Sequence, residues 1–385
     1  MGRNKSNFVD LCQGDFGRKT AYTGVAQITT ENVVQVLSDT IGTHNRNRMM
    51  INYLYRYYKG DQPILYREKL VRPEVNNRVV ENHALEVVKF KAGQIYGEPI
   101  QYVCKKKKAD KKINEQVDLL NDYLDEANAD ARNIQLGIYQ SAVGTAYKTI
   151  LREDDWTKDR DLPPFRIFIP YPGDVYIVYS RNTGKAMLSV QILKDEENQQ
   201  YYLCYSSNQY FKIKNGQVTV SGINGFGGIP IIEYPNNHDR LSDVEIAITA
   251  FDAINKYQSD RLNGVEQFVQ AFMKFKNCEV DENEFLKMVK LGAISVKDAG
   301  NGVQSDVDLM TAELNQSESQ VAKDDIYNNM LIVEAMPNRQ SNTGGDTGNA
   351  VYLRNGWDFA ERDAKLVEAF TKEAEKASVR IILNI

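Results

Sequence analysis

The stretch GGIPIIEYPNNHDRLSDVEIAITAFDAINKYQSD, residues 227–260, decides how this chain is built. An apolar segment breaks at Pro235-Asn236-Asn237, and Ser242-Asp243 then offers the residue types that start helices. From there Val244, Ala247, Phe251, Ile254, Gln258, Leu262, Val265, Phe268 and Phe272 recur every three or four residues. The opposite face carries Asp252, Ser259, Asp260, Asn263, Glu266, Gln267 and Gln270. That period is helical. About thirty residues of helix span roughly 45 Å, far beyond the average helix. Gly264 inside it costs about 1 kcal/mol and leaves room for a bend.

Upstream, residues 145–234 alternate in the manner of strands: TAYKTILRE, PFRIFIP, DVYIVYS, AMLSVQIL, QQYYLCY, QYFKIK and QVTVSG. Asn215-Gly216 between two of them is a two-residue hairpin signal. An antiparallel sheet is expected here. Before it the pattern is helical. Thr30 is placed to cap a helix bearing Val33, Val34 and Leu37; a second helix covers about 45–58 and stops at Gly60. Leu85, Val88, Ala92 and Ile95 predict a helix over 82–96 that ends at Gly97. Two more follow at 113–127 and 131–143, the last ending at Gly144. The lysine run KKKKADKK (105–112) reads as a solvated loop, and residues 1–30 as a polar arm.

Downstream, FMKFKNCEV, GAISVKD and SDVDLMT read as strands of a small module with a short helix near 282–290 and a turn at 300–302. A second long helix covers 312–336 and stops at Pro337. NRQSNTGGDTGNA (338–350) is loop by composition. A last helix runs from about 350, with Val351, Trp357, Ala360, Ala364, Val367, Phe370, Ala374, Ala377 and Ile381 as its stripe. The fold class is α+β.

Composition sets the bounds. The chain has 385 residues, 42% hydrophobic and 26% charged, which excludes a disordered chain, a collagen-like repeat and a disulfide scaffold. Cys12, Cys104, Cys204 and Cys278 are far apart and read as free thiols in a reducing compartment. No secretory signal opens the chain, and no stretch approaches the roughly 18 apolar residues of a membrane span. The protein reads as cytoplasmic or assembled there. The 22 tyrosines cluster at Tyr53–Tyr58 and Tyr201–Tyr210, fitting half-buried surfaces or subunit interfaces.

No catalytic constellation emerges. His44, His83 and His238 share no metal spacing and read as surface or capping histidines. The run Gly344-Gly345-Asp346-Thr347-Gly348-Asn349 lacks the lysine and preceding strand of a phosphate loop. No cofactor and no metal are expected. What stands out is two long helices flanking a small α/β module, a polar loop, and a third long helix.

In three segments the chain resembles the portal proteins of tailed double-stranded-DNA bacteriophages, of the siphophage type. They are residues 53–102, with a YY-x-G turn, an Asn76-Asn77-Arg78 step and a helix ending in Tyr96-Gly97-x-Pro99; residues 227–260, with the Pro-Asn-Asn step before a long helix; and the helix–Pro337–polar loop–helix order near the end. The resemblance implies a wing over 1–241, stem helices at 242–274 and 313–336, a clip at 275–312, a tunnel loop at 337–349, and a long helix over 350–385 returning to the wing. It implies a crown that is minimal or truncated. It implies a homo-oligomeric ring, twelve-fold, at one capsid vertex of the virion, built in the host cytoplasm. Double-stranded DNA would pass non-specifically through it during packaging and ejection. Terminase, a head–tail adaptor, and capsid and scaffolding proteins would be partners; a membrane would not, and no enzyme activity is implied.

The resemblance places Asn338, Arg339, Gln340, Ser341, Asn342, Thr343, Gly344, Gly345, Asp346, Thr347, Gly348 and Asn349 in a DNA-facing loop. Phe251, Leu262, Val265, Phe268 and Phe272 would form the stem interface, with Phe268→Asp giving monomers. Glu279, Asp281, Glu282 and Glu284 would be clip contacts for partners.

Charge fits that picture. The formal net charge is −5, which argues against a protein that grips nucleic acid by net positive charge. Residues 243–350 carry 18 acidic and 9 basic side chains, a net of −9, so the remainder is +4. An acidic wall repels the DNA that slides past it, whereas each basic contact to phosphate adds salt-sensitive affinity. The same acids could instead face lysines of other subunits. Two other readings stand beside this one: another head–tail connector or minor capsid protein, and a nucleic-acid-processing enzyme, for which no acidic metal cluster can be assembled.

Overall fold

The computed structural model describes residues 16–70, 73–104, 111–153, 162–269, 272–276, 281, 283, 286, 306–310, 316–338 and 356–385. The chain divides into two compact units. The first comprises residues up to Gln62, Asn82–Phe251 and Asn328–Ile385; the second comprises Pro63–Glu81 and Asp252–Tyr327. Residues 63–81 therefore group with the long-helix region and not with the rest of 1–241.

In the first unit, strand β1 (Ala21–Thr23) precedes helices α1 (Val33–Tyr58), α2 (His83–Tyr96), α3 (Lys111–Glu126) and α4 (Ala129–Val143). Strands β2 (Thr145–Arg152), β3 (Phe165–Phe168), β4 (Val175–Ser180), β5 (Ala186–Lys194), β6 (Gln200–Tyr205), β7 (Gln209–Lys214), β8 (Gln217–Ile223) and β9 (Ile231–Pro235) follow. Helix α5 (Asp243–Val269) runs from this unit into the second. The second unit holds the hairpin β10 (Phe272–Lys276) and β11 (Asp306–Met310) and the start of α6 (Gln316–Val333). Helix α7 (Trp357–Ile382) closes the first unit.

The β region makes two sheets rather than one. Six strands run β1-β4-β5-β6-β7-β8 and three run β3-β2-β9. All pairs are antiparallel except β1 with β4, where Ala21 sits opposite Val178. Asn215 and Gly216 turn β7 into β8 with φ of 52° and 74°, the left-handed pair that suits the strand twist. Val33, Val36 and Leu37 of α1 pack on Val178, Leu188, Val190 and Phe211 of the larger sheet. Leu136 of α4 and Ala374 and Ile381 of α7 pack on Ile150, Phe165 and Tyr234 of the smaller one.

Four expectations are corrected. The two helices expected before residue 60 are one, running unbroken through Gly42 from Val33 to Tyr58. Part of the expected N-terminal arm is built in, with Ala21 and Ile28 in the core. His44 is not a surface histidine. It is 1% exposed, stacks on Tyr176 at 4.5 Å, and its Nε2 lies 2.9 Å from the Gly173 carbonyl oxygen. Burial is the main reason that its pKa falls to about 4. Finally, α5 ends at Val269 and Phe272 opens β10, so Phe272 belongs to a hairpin and not to the long helix.

Candidate functional site

Two loci organise the long helices, one in each unit. The first is the start of α5. Ser242 and Glu245 form a capping box: Ser242 Oγ accepts from the Val244 N–H at 3.0 Å, and Glu245 Oε2 accepts from the Ser242 N–H at 2.9 Å. Two of the helix's orphan donors are thereby satisfied. The Ser242 hydroxyl also donates to the Ala142 carbonyl at 2.8 Å. The turn before it is fixed by the two asparagines. Asn237 Oδ1 accepts from Leu241 N at 2.9 Å, and Asn236 Nδ2 donates to Asp243 Oδ1 at 2.9 Å. Gly144 comes so close to this turn that a Cβ would lie 2.0 Å from the Arg240 oxygen, and its φ is 85°.

Arg240 is clamped on Glu233 by two bonds of 2.7 and 2.9 Å. Tyr179 and Thr145 hydroxyls donate to the same carboxylate at 2.5 and 2.9 Å. Burial works to raise the Glu233 pKa, but Arg240 and these bonds hold it below the ordinary range. Arg18 pairs with Glu245, both buried, which ties the N-terminal residues to the first turn of α5.

Beside this start, four titratable groups from four segments meet. Lys91 of α2 donates to Asp363 of α7 at 2.5 Å and lies 3.9 Å from Glu334 Oε2. Asp243 of α5 accepts from Ser141 Oγ at 2.5 Å and adds its charge to the field at Lys91. Glu334 is the C-cap of α6. The bonds Met336 N to Leu331 O (2.8 Å) and Ala335 N to Ile332 O (3.1 Å) make the six-to-one and five-to-two pattern of a Schellman ending. Ala335 takes the left-handed position with φ of 50°, where glycine is usual. Glu334 is 1% exposed and neither of its oxygens accepts a hydrogen bond among the described residues. Burial first, then the charges of Asp243 and Asp363, push its pKa well up, against the pull of Lys91. It also sits at the negative end of a helix. Burial and these neighbours thus bias Glu334 toward its neutral form, and the hydrogen bond of Lys91 goes to Asp363.

The second locus is a polar ladder within the second unit. Asn255, Ser259 and Asn263 stand four residues apart on α5, one turn above another. Asn255 Oδ1 accepts from Glu81 N at 2.8 Å, Ser259 Oγ from Val79 N at 3.0 Å, and Asn263 Oδ1 from Asn77 N at 2.7 Å. Four helical residues rise about 6 Å and two extended residues about 6.6 Å, so the periods match over three rungs. Asn77 Nδ2 also donates to Asn263 and to Glu266. Arg67 pairs with Asp260 at 2.6 Å and Lys323 with Glu81 at 2.5 Å. All three ladder residues are at most 2% exposed.

The predicted site residues separate under this geometry. Leu262 and Val265 are 41% and 48% exposed on α5, with Tyr257 at 37%. Phe251 is fully buried beside Tyr57, ring centroids 6.3 Å apart, so it is a core residue and has no surface for a neighbouring subunit. The acids of 243–350 are not all free to repel DNA. Asp243, Glu245 and Glu334 are buried, Asp260 pairs with Arg67, and Glu266 accepts from Asn77. Asp281 is exposed and Asn338 donates to Asn328 Oδ1 at 2.9 Å. Arg339 to Asn349, Glu279, Glu282, Glu284 and the side chains of Phe268 and Phe272 lie outside the described residues, as do Cys12, Cys278 and the lysines at 105–108. Among the described residues no group of His, Cys, Asp or Glu is arranged to hold a metal ion, and no helix is long and apolar enough to cross a membrane.

Sequence reasoning missed both the ladder and the Lys91–Glu334–Asp243–Asp363 cluster. The signal for the ladder was present, an Asn-x3-Ser-x3-Asn spacing on a helix facing an Asn-Asn step. The cluster has no local signal, since its members come from residues 91, 243, 334 and 363.

The long helix α5 is thus capped, strapped and anchored by buried polar groups, with Tyr257, Leu262 and Val265 left exposed. The family model for phage portal proteins, SPP1 Gp6-like, matches residues 37–385, and the chain belongs to that family of structural proteins. The portal protein of Bacillus phage SPP1 is 23% identical over 329 residues, which are 77% of this chain and 60% of that protein. The chain thus spans 60% of the length of this curated relative. A solved structure described as the neck of a native GTA particle, computed with C12 symmetry, contains a chain 13% identical to this one. The match covers 71% of this chain and 72% of that one, with a TM-score of 0.43.

Proposed function

We propose that the chain is the ring-forming subunit of a phage portal, the conduit for DNA at one capsid vertex. The observation that carries this is the family match over residues 37–385, joined to an α5 whose polar face is internally satisfied and whose Tyr257, Leu262 and Val265 face outward. Such a helix keeps its apolar contacts for neighbours, as obligate oligomers do. In this reading residues 1–241 serve as wing, 242–274 and 313–336 as stem, 275–312 as clip, and 350–385 return to the wing. Residues 338–349 form the loop nearest DNA. Twelve copies close the ring. Terminase and then a head–tail adaptor dock on the clip, where Glu279, Asp281, Glu282 and Glu284 are contacts. Capsid and scaffolding proteins meet the wing, and the chain works in the virion after assembly in the host cytoplasm.

DNA passes without being gripped. With several acids of 243–350 tied up inside the chain, repulsion comes from those that stay exposed, such as Asp325. A conduit predicts weak, sequence-independent binding to duplex DNA that vanishes by moderate salt, and no cleavage when Mg²⁺ is added. Gel-shift and cleavage assays on the purified full chain test this. Sequence-specific binding that survives 200 mM salt, or turnover of DNA, would overturn it and favour the nucleic-acid enzyme.

A further inference from the structure

A cavity of about 340 Å³ in the first unit plays no part in the stem or its anchors. That size suits a small ligand. Its walls come from α3, the first turns of α4, the segment before Cys104, β2, β3 and α7. Ile100, Leu124, Ile167 and Ile382 give it an apolar side. At its floor Lys148 pairs with Glu375, and the Tyr102 hydroxyl donates to the other Glu375 oxygen at 2.8 Å. The floor is satisfied.

Asn121 is satisfied too, by two bonds of 3.0 Å with the Tyr102 backbone, but part of the polar lining is not. Asp122 and Asp125 of α3 and Asp130 of α4 line the same cavity, and no ion pair or side-chain hydrogen bond engages their carboxylates among the described residues. Asn133, one turn beyond Asp130, lines it too. Asn133 is 5% exposed and its Oδ1 accepts no hydrogen bond among the described residues. A buried acceptor left without a donor costs about 1–3 kcal/mol. Three carboxylates with no protein partner among the described residues, Asp122 and Asp125 exposed and Asp130 half-buried, together with a buried acceptor and an aliphatic wall, favour one kind of occupant. It must be positive, it must donate an N–H, and it must carry methylene groups. An anion is repelled. A bare metal ion is disfavoured, because these groups are not brought together as ligands. Asp130 lies in the first turn of α4, where its charge offsets the positive end of that helix.

We propose that this cavity binds a primary ammonium on a short alkyl arm. The arm belongs either to a free linear amine or to a lysine side chain of a second copy of the chain. The test is calorimetric titration of the purified full chain, at constant ionic strength, with 1-butylamine, 1,4-diaminobutane and tetramethylammonium. The amines are expected to saturate at one per chain. Tetramethylammonium, which has charge but no N–H, should bind about tenfold or more weakly. The surface pair Asp122→Asn with Asp125→Asn should weaken amine binding by about tenfold without altering the circular dichroism. Asn133→Leu should abolish the preference for amine over tetramethylammonium.

Comparing dilute with assembled protein separates the two sources. Amine binding in both states marks a free amine site. Binding in the dilute state that is lost on assembly marks a neighbour's lysine. No saturable amine binding in either state, or equal affinity for tetramethylammonium, or an unchanged affinity in the Asp122→Asn, Asp125→Asn variant, would each overturn the proposal.

Discussion

Replacing Glu334 by glutamine should stabilise the protein, and by an amount that grows with pH. The side chain is buried at the end of α6 with neither oxygen hydrogen-bonded among the described residues, in the field of Asp243 and Asp363. Its pKa is raised above the ordinary glutamate value of 4.5. A raised carboxylate pKa means that the folded chain holds a proton which the unfolded chain has released. By linkage, stability falls as pH rises above the unfolded value, and goes on falling until the folded pKa is passed. The slope is about 1.4 kcal/mol per pH unit. Between pH 4.5 and pH 7 the ceiling on that loss is about 3 kcal/mol. Glutamine keeps the shape of the neutral acid without the proton.

Urea denaturation followed by circular dichroism, at pH 4.5, 6, 7 and 8 and fixed protein concentration, measures it. The Glu334→Gln variant should match the parent near pH 4.5 and exceed it by about 1–3 kcal/mol at pH 7. Glu334→Asp, which keeps a titratable carboxyl in the same place, should show no such gain. If the glutamine variant is less stable than the parent at pH 7, Glu334 is an ionised partner of Lys91 and the reasoning fails.

Five further sets of variants have expected outcomes. Ser242→Ala removes a cap and a bond to Ala142, and should cost about 2 kcal/mol in the same denaturation assay. Ala335→Gly relieves the left-handed backbone at the Schellman position and should stabilise by about 1 kcal/mol, whereas Ala335→Val should destabilise. Asn263→Leu leaves the Asn77 backbone N–H without its acceptor inside the second unit, costing about 1–3 kcal/mol, and amide hydrogen exchange at 77–81 should rise selectively. In sizing experiments, Leu262→Asp with Val265→Asp should dissociate the assembly while leaving the melting of the first unit intact. Phe251→Ala should instead destabilise the first unit by about 3–5 kcal/mol.

The elements were largely legible because their periods are strong. The α5 stripe, the Asn215-Gly216 turn and the Gly97 and Gly144 helix ends each have a local cause, and local causes are written in consecutive residues. What was not legible is pairing at a distance. Ser259 and Asn263 look like any solvated polar face until residues 77–81 lie on them, and a helical moment cannot distinguish the two. Phe251 and Leu262 fall in one apolar stripe, yet one is core and the other exposed, because the helix passes from one unit to the next between them. His44 looked like a surface residue because its burial depends on Gly173 and Tyr176, more than 120 residues away. The strand at Ala21–Thr23 is three residues long and pairs in parallel with β4, a pairing that no short-range alternation announces. Family membership was legible from order and spacing, since Pro-Asn-Asn and the Asn-Asn-Arg step coincide with the turn and the strap that hold α5.

The proposed function requires this chain to close into a ring around a passage for DNA. Electron microscopy of the purified full chain tests it most directly. The account predicts closed rings with an open central channel, twelve-fold in their class averages and lost in the Leu262→Asp, Val265→Asp variant. Particles that remain monomeric at micromolar concentration, or assemblies without a through-channel, would contradict it.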